Sequence, residues 1–286
     1  MNQSVYLSRS ALKDKAKGAL NGHYRKLILA TFLLTGINLS VTFAIEYILS
    51  FFIGMATSFG MISSGSFTPG MSEADLTALT QTILASSQSL SVAATTQAIS
   101  YLLSFVASVF IYMMNIGLTM MFLKIACGGS CAVSDLFSCF RHHFSTCLRL
   151  ALCMTLIQQL LLLPQTLLLF FVNYTDSSLC TAITAICMIP ANILYLLLSL
   201  TYSQSCYLHL DFPEYSCSKV MKLSRQMMKG HKMRYFLLEL SFIPLILLNA
   251  LTFGIGNLWL LPYQQMTLVF FYLNLVQNTR VNTHGN

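Results

Sequence analysis

Long apolar tracts alternate with short polar segments along the chain, and this alternation predicts a bundle of membrane-spanning helices. Six tracts approach or exceed the roughly 20 apolar residues that a helix needs to cross a bilayer. The predicted spans are residues 27–52, 99–122, 148–172, 179–206, 236–251 and 258–276. The pattern predicts an all-α membrane protein with six transmembrane helices, organised as a single membrane domain over residues 1–286.

Short basic segments with helical periodicity precede three of the predicted spans. In the basic N-terminus, residues 1–26, Leu12, Ala16 and Leu20 recur on one helix face, whereas the lysines lie on other faces. Residues 219–234 are equally basic, and residues 134–144 carry apolar residues at helical spacing after Ser134, a favoured N-cap. We therefore expect short amphipathic helices on the cytoplasmic surface of the membrane.

The positive charges predict the orientation of the spans. All 16 Lys and Arg residues lie before span one, between spans two and three or at the very start of span three (Arg149), between spans four and five, or after span six. The remaining loops contain none, including the long extracytoplasmic loop at 54–98, where the sequence also predicts a helix at 73–89. Because cytoplasmic loops are enriched in Lys and Arg, both termini are expected in the cytoplasm. We expect a multi-pass protein of the inner, cytoplasmic membrane.

Composition supports the membrane assignment and argues against a nucleic-acid partner. The chain is 56% hydrophobic and 9% charged, whereas charged residues make up about a quarter of a soluble domain. The net charge of +7 comes from cations that flank apolar tracts, not from basic runs interleaved with aromatic residues. The nine cysteines lie mostly in predicted spans or on the cytoplasmic side, so we expect no disulfide framework.

Two short motifs recur and favour three parallel two-span repeats. Residues 19–26 and 227–234 both contain Gly-His followed three residues later by a cation, and both lead directly into a span. Residues 189–192 and 261–264 both read apolar-Pro-any-amide. We interpret each repeat as a surface helix followed by a transmembrane hairpin.

Several segments resemble a bacterial integral membrane family defined by domain of unknown function 975. The resemblance is carried by residues 8–17, residues 228–242, Tyr263 and residues 271–273. It covers both ends of the chain and is looser in the middle, and Pro244 departs from the family pattern, which has an aromatic residue there. The resemblance implies a six-span bacterial inner-membrane protein and brings no established activity or catalytic residues.

No catalytic or metal-binding constellation is evident in the sequence. Glu46 and Glu239 fall near the ends of predicted spans, where acids face water rather than forming a relay. Cys139, His143 and Cys147 share a helix face, but their spacing is not that of a zinc site. No phosphate-binding, hydrolase or metalloprotease motif occurs. We therefore predict no enzyme activity, no metal and no cofactor.

Two functions are compatible with the sequence. The first is a non-enzymatic module whose basic helices engage anionic membrane lipids or a membrane protein partner. Its candidate binding residues are Lys13, Lys17, Lys219, Lys222, Arg225, Lys229, Lys232 and Arg234. The alternative is a transporter or lipid-handling permease with an uncharged polar cavity beside proline-broken helices. The candidate cavity residues are Gln159, Asn192 and Gln264.

Overall fold

A computed structural model describes residues 6–63, 72, 77, 81, 90–141, 144–174, 178–252, 254 and 256–284. Over these residues the chain forms eleven α-helices, one 3₁₀ helix and no strand. The helices are α1 (Arg9–Leu20), α2 (Tyr24–Ser63), α3 (Leu90–Ala126), α4 (Ser138–Arg141), α5 (Phe144–Tyr174), α6 (Ser178–Tyr202), α7 (Ser205–Asp211), α8 (Cys217–Met227), α9 (Lys232–Leu240), α10 (Ile243–Leu251) and α11 (Asn257–His284). The 3₁₀ helix, Val133–Phe137, lies between α3 and α4.

Four helical stretches in the described part of the chain are long and apolar enough to cross a membrane. They are Tyr24–Met55, Thr95–Ala126, Phe144–Leu168 and Ile186–Asp211. They overlap the first four predicted spans, so the all-helical, membrane-like character of the chain is confirmed. Six spans are not confirmed, because the two C-terminal segments do not meet the same criteria of length and composition.

The helices around the predicted 54–98 loop are longer than expected. Helix α2 continues to Ser63 and α3 begins at Leu90, so both ends of the predicted loop are helical. The helix expected at 73–89 lies almost wholly outside the described residues.

The predicted fifth span is divided into two short helices. Helix α9 ends at Leu240, and α10 begins at Ile243 after a turn at Ser241 and Phe242. Pro244 is the second residue of α10, a position where its missing N–H costs no helical hydrogen bond, and it cannot continue the preceding helix. At about 1.5 Å per residue, the nine residues of α10 cover less than half of a bilayer core of roughly 30 Å.

Helix α11 lies at the centre of the bundle. Helices α1, α2 and α3 pack around it, and Met266, Phe271 and Tyr272 are almost completely buried. The polar residues of α11 are sheltered in the same way, because Asn274 and Asn278 are also buried. These polar residues lower the hydropathy of the segment, and the neighbouring helices shelter them from lipid.

Helix α1 is docked on the protein by its apolar face. Leu12, Ala16 and Leu20 are buried in contacts with α11 and its neighbours. The Leu7 N–H donates to Asn274 Oδ1 at 3.3 Å. The amphipathic helix predicted from the sequence is present, but its apolar face packs against other helices and not against the bilayer.

Two corners of the fold share one backbone geometry. Gly22 and Gly230 have φ values of +84° and +82°, in the left-handed region that favours glycine. The amide of the next residue, His23 or His231, donates to the carbonyl two positions before the glycine, at 3.0 Å and 3.1 Å. Each corner joins a docked helix to the helix that follows it, so the two Gly-His motifs have the same local structure.

The turn between α10 and α11 lies beside the start of α2. Thr252 and Gly256 line the same pocket as Lys17 and Tyr24. The sequence predicts that this turn lies outside the cell, a full membrane thickness from the first residues of span one. The shared pocket instead brings the turn and the beginning of α2 to the same end of the bundle.

The segment between α3 and α5 begins differently from the prediction. The 3₁₀ helix starts after Ala132, whose N–H donates to Asp135 Oδ2 at 3.1 Å, so Ser134 is not the N-cap.

Lys124 forms an ion pair with the Asp135 carboxylate at 3.2 Å. Partial burial opposes ionisation of Asp135, but the Ala132 N–H and the Lys124 ammonium outweigh it and lower the pKa of Asp135.

Candidate functional site

Helix α8 presents one face to the protein and one to solvent. Val220 and Ser224 are fully buried, and Ser224 Oγ donates to the Thr201 carbonyl at 3.0 Å. The opposite face carries four exposed cations, and the last of them lies two residues after the end of the helix. This cation stripe consists of Lys219, Lys222, Arg225 and Lys229.

The cation stripe is presented to solvent without a carboxylate partner. The one ion pair in the described part of the chain joins Lys124 to Asp135, outside the stripe. Lys219 Nζ lies 3.5 Å from the ring centroid of Tyr215, which itself stacks on Phe212 at 5.1 Å. A cation–π contact at an exposed site leaves the ammonium available to an anion. The stripe is therefore a surface of exposed positive charge held on a packed helix.

The Lys13 side chain makes its contacts within the protein. Its Nζ donates to the Ser241 carbonyl at 3.0 Å and lies 4.2 Å from the centroid of Phe242. Burial lowers the pKa of Lys13, and the nearby charges of Lys17 and Arg9 lower it further. Lys13 thus ties α1 to the turn between α9 and α10. Lys17 is exposed, with its Nζ 5.8 Å from the Tyr263 centroid.

The Arg234 side chain also makes its contacts within the protein. Its Nη2 donates to the Leu7 carbonyl at 3.0 Å, and its guanidinium carbon lies 4.6 Å from the Tyr6 centroid and 5.7 Å from that of Phe271. Burial lowers the pKa of Arg234. Planar stacking and directed N–H donors suit arginine to this position. Lys232, the last of the predicted binding cations, is half-buried.

His231, at the corner after α8, lies beside Tyr6, the same residue that Arg234 contacts. The Tyr6 hydroxyl and His231 Nε2 are 3.2 Å apart, and the two ring centroids are 4.8 Å apart. Burial lowers the pKa of His231, and the charge of Arg234 adds to the effect. The N-terminal segment is therefore held against this corner by contacts among phenol, imidazole and guanidinium groups.

Gln159 lines an apolar groove between α3 and α5. The groove has a volume of about 590 Å³ and is walled by Tyr101, Phe105 and Leu160, among others. Gln159 Nε2 donates to Ser108 Oγ at 3.5 Å, and its backbone carbonyl accepts from the Tyr101 hydroxyl at 3.3 Å. Gln159 thus joins two helices at the edge of an open apolar surface.

Asn192 and Gln264 are not brought together with Gln159. Asn192 is exposed, and its Nδ2 donates to the Met188 carbonyl of its own helix at 2.8 Å. Gln264 is half-buried on α11. Neither residue lines the apolar groove. Helix α6 continues through Pro190, and α11 continues through Pro262.

A second, more polar cleft lies between α3, α5 and α6, and sequence reasoning did not single it out. It has a volume of about 190 Å³. This polar cleft is lined by Tyr112, Met154, Ile157, Gln158, Leu161, Tyr195, Leu198, Ser199, Tyr202 and Ser203. Gln158 is visible in the sequence as an amide inside a span, but tyrosine and serine are common in membrane helices. Only their convergence in space distinguishes them.

Cys139, His143 and Cys147, which share a predicted helix face, are not shown as a metal site by the described residues. Cys139 and Cys147 are both buried, whereas His143 lies outside the described residues. Within the described ranges, no three His, Cys, Asp or Glu side chains are grouped so as to hold a metal ion.

Comparison with known proteins identifies a family and no individual relative. No curated protein and no solved structure matches the chain. The model of the family described as protein of unknown function (DUF975) matches residues 1–279. The match includes α1, both Gly-His corners and nearly all of the central helix α11, and it confirms the resemblance seen at both ends of the sequence. The chain therefore belongs to the DUF975 family of proteins of unknown function.

Proposed function

We propose that this protein is a non-enzymatic, multi-pass protein of the bacterial inner membrane that binds anionic lipid through its cytoplasmic cation stripe. The single observation that carries the proposal is the stripe itself. Its four cations are exposed, while the apolar face of α8 is packed against the bundle. Such a helix meets a membrane through charge and not through insertion, and each cation near an anionic leaflet contributes about 1 kcal/mol.

The topology that we propose places both termini in the cytoplasm. The distribution of Lys and Arg supports this orientation, and any even number of crossings returns the chain to the same side. The sequence favours six crossings. The pocket shared by Tyr24 and Gly256 supports four instead, with the helices after residue 231 gathered at the cytoplasmic end.

We also propose that the chain contains a duplicated unit of docked helix, glycine corner and following helix. Buried positions correspond between the copies: Leu12, Ala16 and Leu20 in the first, and Val220, Ser224 and Met228 in the second. In both copies the cation four residues after the glycine donates to a loop carbonyl, Lys26 to Cys131 and Arg234 to Leu7. The predicted middle repeat has no comparable support, since no Gly-His motif directly precedes span three in the sequence.

The lipid proposal is tested by changing the four stripe cations to Gln together and measuring the lipids that co-purify. We expect anionic phospholipid to fall several-fold relative to zwitterionic lipid, because each lost cation removes at most about 1 kcal/mol of attraction, screened within about 8 Å at physiological salt. A matched variant with Lys219, Lys222 and Lys229 changed to Arg keeps the charge and should keep the lipid. Equal lipid content in both variants would contradict the proposal and favour a protein partner.

The polar cleft supports a second candidate, a permease that moves a lipid headgroup or small polar solute. Its hydroxyl and amide groups converge without a formal charge among its lining residues, which suits a neutral polar substrate. If this is correct, Gln158→Leu should slow lipid movement across proteoliposomes by roughly fivefold, the effect of losing a hydrogen bond of about 1 kcal/mol. Gln159→Leu, in the neighbouring apolar groove, is the control. Equal rates in both variants would rule out the cleft as the pathway.

A further inference from the structure

A third pocket lies where the end of α1, the start of α2, the helix α10 and the start of α11 meet. Its volume is about 400 Å³, and its lining includes Lys17, Tyr24, Asn249, Trp259 and Tyr263. We propose that this pocket binds one anionic phospholipid of the adjoining leaflet, with the phosphate at Lys17 and the acyl chains along α10. This corner pocket is separate from the cation stripe, since none of the stripe cations lines it.

The polar side of the corner pocket suits a phosphate headgroup. The Lys17 side chain is exposed at the pocket and has no ion pair within the described part of the chain. Tyr24, Trp259 and Tyr263 surround it with aromatic rings that carry a polar edge, the residues that concentrate at the level of lipid headgroups. One ammonium with aromatic walls favours a singly charged, amphipathic ligand over a multiply charged soluble anion.

The apolar side of the corner pocket is a surface that hydrocarbon would cover. The described side chains of α10 are all exposed except Asn249, and Leu247, Leu248 and Leu251 are 65%, 58% and 76% exposed. This is the reverse of a water-facing helix, which exposes its polar residues and buries its leucines. A nine-residue helix is too short to cross the bilayer. It therefore lies within one leaflet, and the lipids of that leaflet are its neighbours.

At the floor of the corner pocket, Gly256 lies against the side chains of Asn249 and Thr252. A Cβ atom at this position would lie 2.7 Å from Asn249 Oδ1, so the Asn249 side chain would have to shift. The Thr252 hydroxyl donates to the Asn249 carbonyl at 2.8 Å, and the Gly256 N–H donates to Thr252 Oγ1 at 3.2 Å. The turn is thus held by its own hydrogen bonds, which leaves the pocket formed before any lipid enters.

Trp259 allows a direct test, because it is the only tryptophan in the chain and it lines the corner pocket. The full-length protein is placed in phosphatidylcholine nanodiscs that contain a minor fraction of either brominated phosphatidylglycerol or brominated phosphatidylcholine. Bromine quenches indole fluorescence on contact. We expect brominated phosphatidylglycerol to quench at about fivefold lower mole fraction, the factor that corresponds to about 1 kcal/mol for one cation.

Substitution of the lysine separates the pocket from general attraction to the membrane. Lys17→Gln should abolish the preference for brominated phosphatidylglycerol, whereas Lys15→Gln, the same charge change on an exposed residue outside the lining, should retain it. The stripe variant should also retain it, so failure of the proposed function and failure of this inference are distinguishable. Loss of the preference in the stripe variant would overturn the separate site.

Three further outcomes would overturn the inference. The first is equal quenching by the two brominated lipids in the wild-type protein, a measurement that needs no variant to fold. The second is an unchanged preference in Lys17→Gln. The third is reversal of the quenching by excess soluble glycerol phosphate, which would identify a site for a soluble anion and not for a lipid.

Discussion

Gly22 and Gly230 set the corners at which a docked helix passes into the next helix. Both have positive φ values, and at both the following histidine amide closes the turn. A Cβ atom at either glycine would have no other heavy atom within 4 Å. The preference for glycine therefore comes from the backbone conformation and not from crowding. A side chain at these positions must adopt the left-handed conformation, which costs roughly 1–2 kcal/mol.

Gly22→Ala and Gly230→Ala should therefore each destabilise the protein by about 1–2 kcal/mol. Gly18→Ala is the matched control, because Gly18 lies inside α1 with open space around it. There alanine should stabilise by about 0.5–1 kcal/mol through its helix propensity. The measurement is thermal unfolding in detergent, followed by circular dichroism. Equal effects at positions 18, 22 and 230 would contradict the corner geometry.

The cations near the membrane serve two different purposes. Lys13, Lys26 and Arg234 donate to backbone carbonyls of distant segments, so they hold the fold together. The cation stripe makes no ion pair within the described residues and remains available to an anion. Counting positive charge along the chain predicts the side of the membrane but does not separate these two groups.

Among the helices, α1 shows most clearly how an amphipathic pattern can be used. Its buried face, Leu12, Ala16 and Leu20, packs against the central helix α11. A helix lying on a bilayer has the same pattern, because lipid and protein interior both accept leucine. The two arrangements differ in what happens to the folded protein when the leucines are removed.

Leu20→Ala should destabilise the protein by about 2–5 kcal/mol, since the truncation leaves a cavity beside α11. Leu29→Ala is the control. Leu29 is 52% exposed on α2, so its truncation leaves no enclosed cavity and should cost less than about 1 kcal/mol. Chemical denaturation in mixed micelles compares the two. If Leu20→Ala were as mild as Leu29→Ala, α1 would lie on the bilayer and not on the protein.

For the molecule as a whole, the position of the turn near Gly256 distinguishes four membrane crossings from six. Four helical stretches meet the criteria for crossing in the described part of the chain. The fifth predicted span is divided at Ser241 and Phe242, and the turn near Gly256 lies beside Tyr24. With four crossings this turn lies on the cytoplasmic side, whereas with six it lies outside.

Single cysteines placed at Ser130 and Asn257 distinguish these arrangements. Both residues are exposed, and both substitutions are made in a background that lacks the nine native cysteines. We expect a membrane-impermeant thiol reagent to label both positions from the cytoplasmic side of inverted vesicles. Labelling of Asn257→Cys from the opposite side to Ser130→Cys would restore the six-span topology.

The sequence by itself determined the all-helical, membrane-like class of the protein and the four apolar helical stretches that are long enough to cross a membrane. These properties depend on the length and period of apolar runs. Both can be counted directly along the sequence, without knowledge of which residues meet in space. The Gly-His motifs could be found in the same way, since a left-handed corner needs glycine at a particular position.

Only the tertiary structure decided what covers each apolar face and which polar groups meet. The sequence of α1 alone does not indicate that Leu20 is buried in the protein core and not in lipid. Likewise, the apolar run at 236–251 does not show that the helix is interrupted at Ser241 and Phe242. The polar cleft and the corner pocket join residues more than 80 positions apart. Burial and convergence of this kind are properties of packing in three dimensions, which the hydrophobic pattern constrains but does not specify.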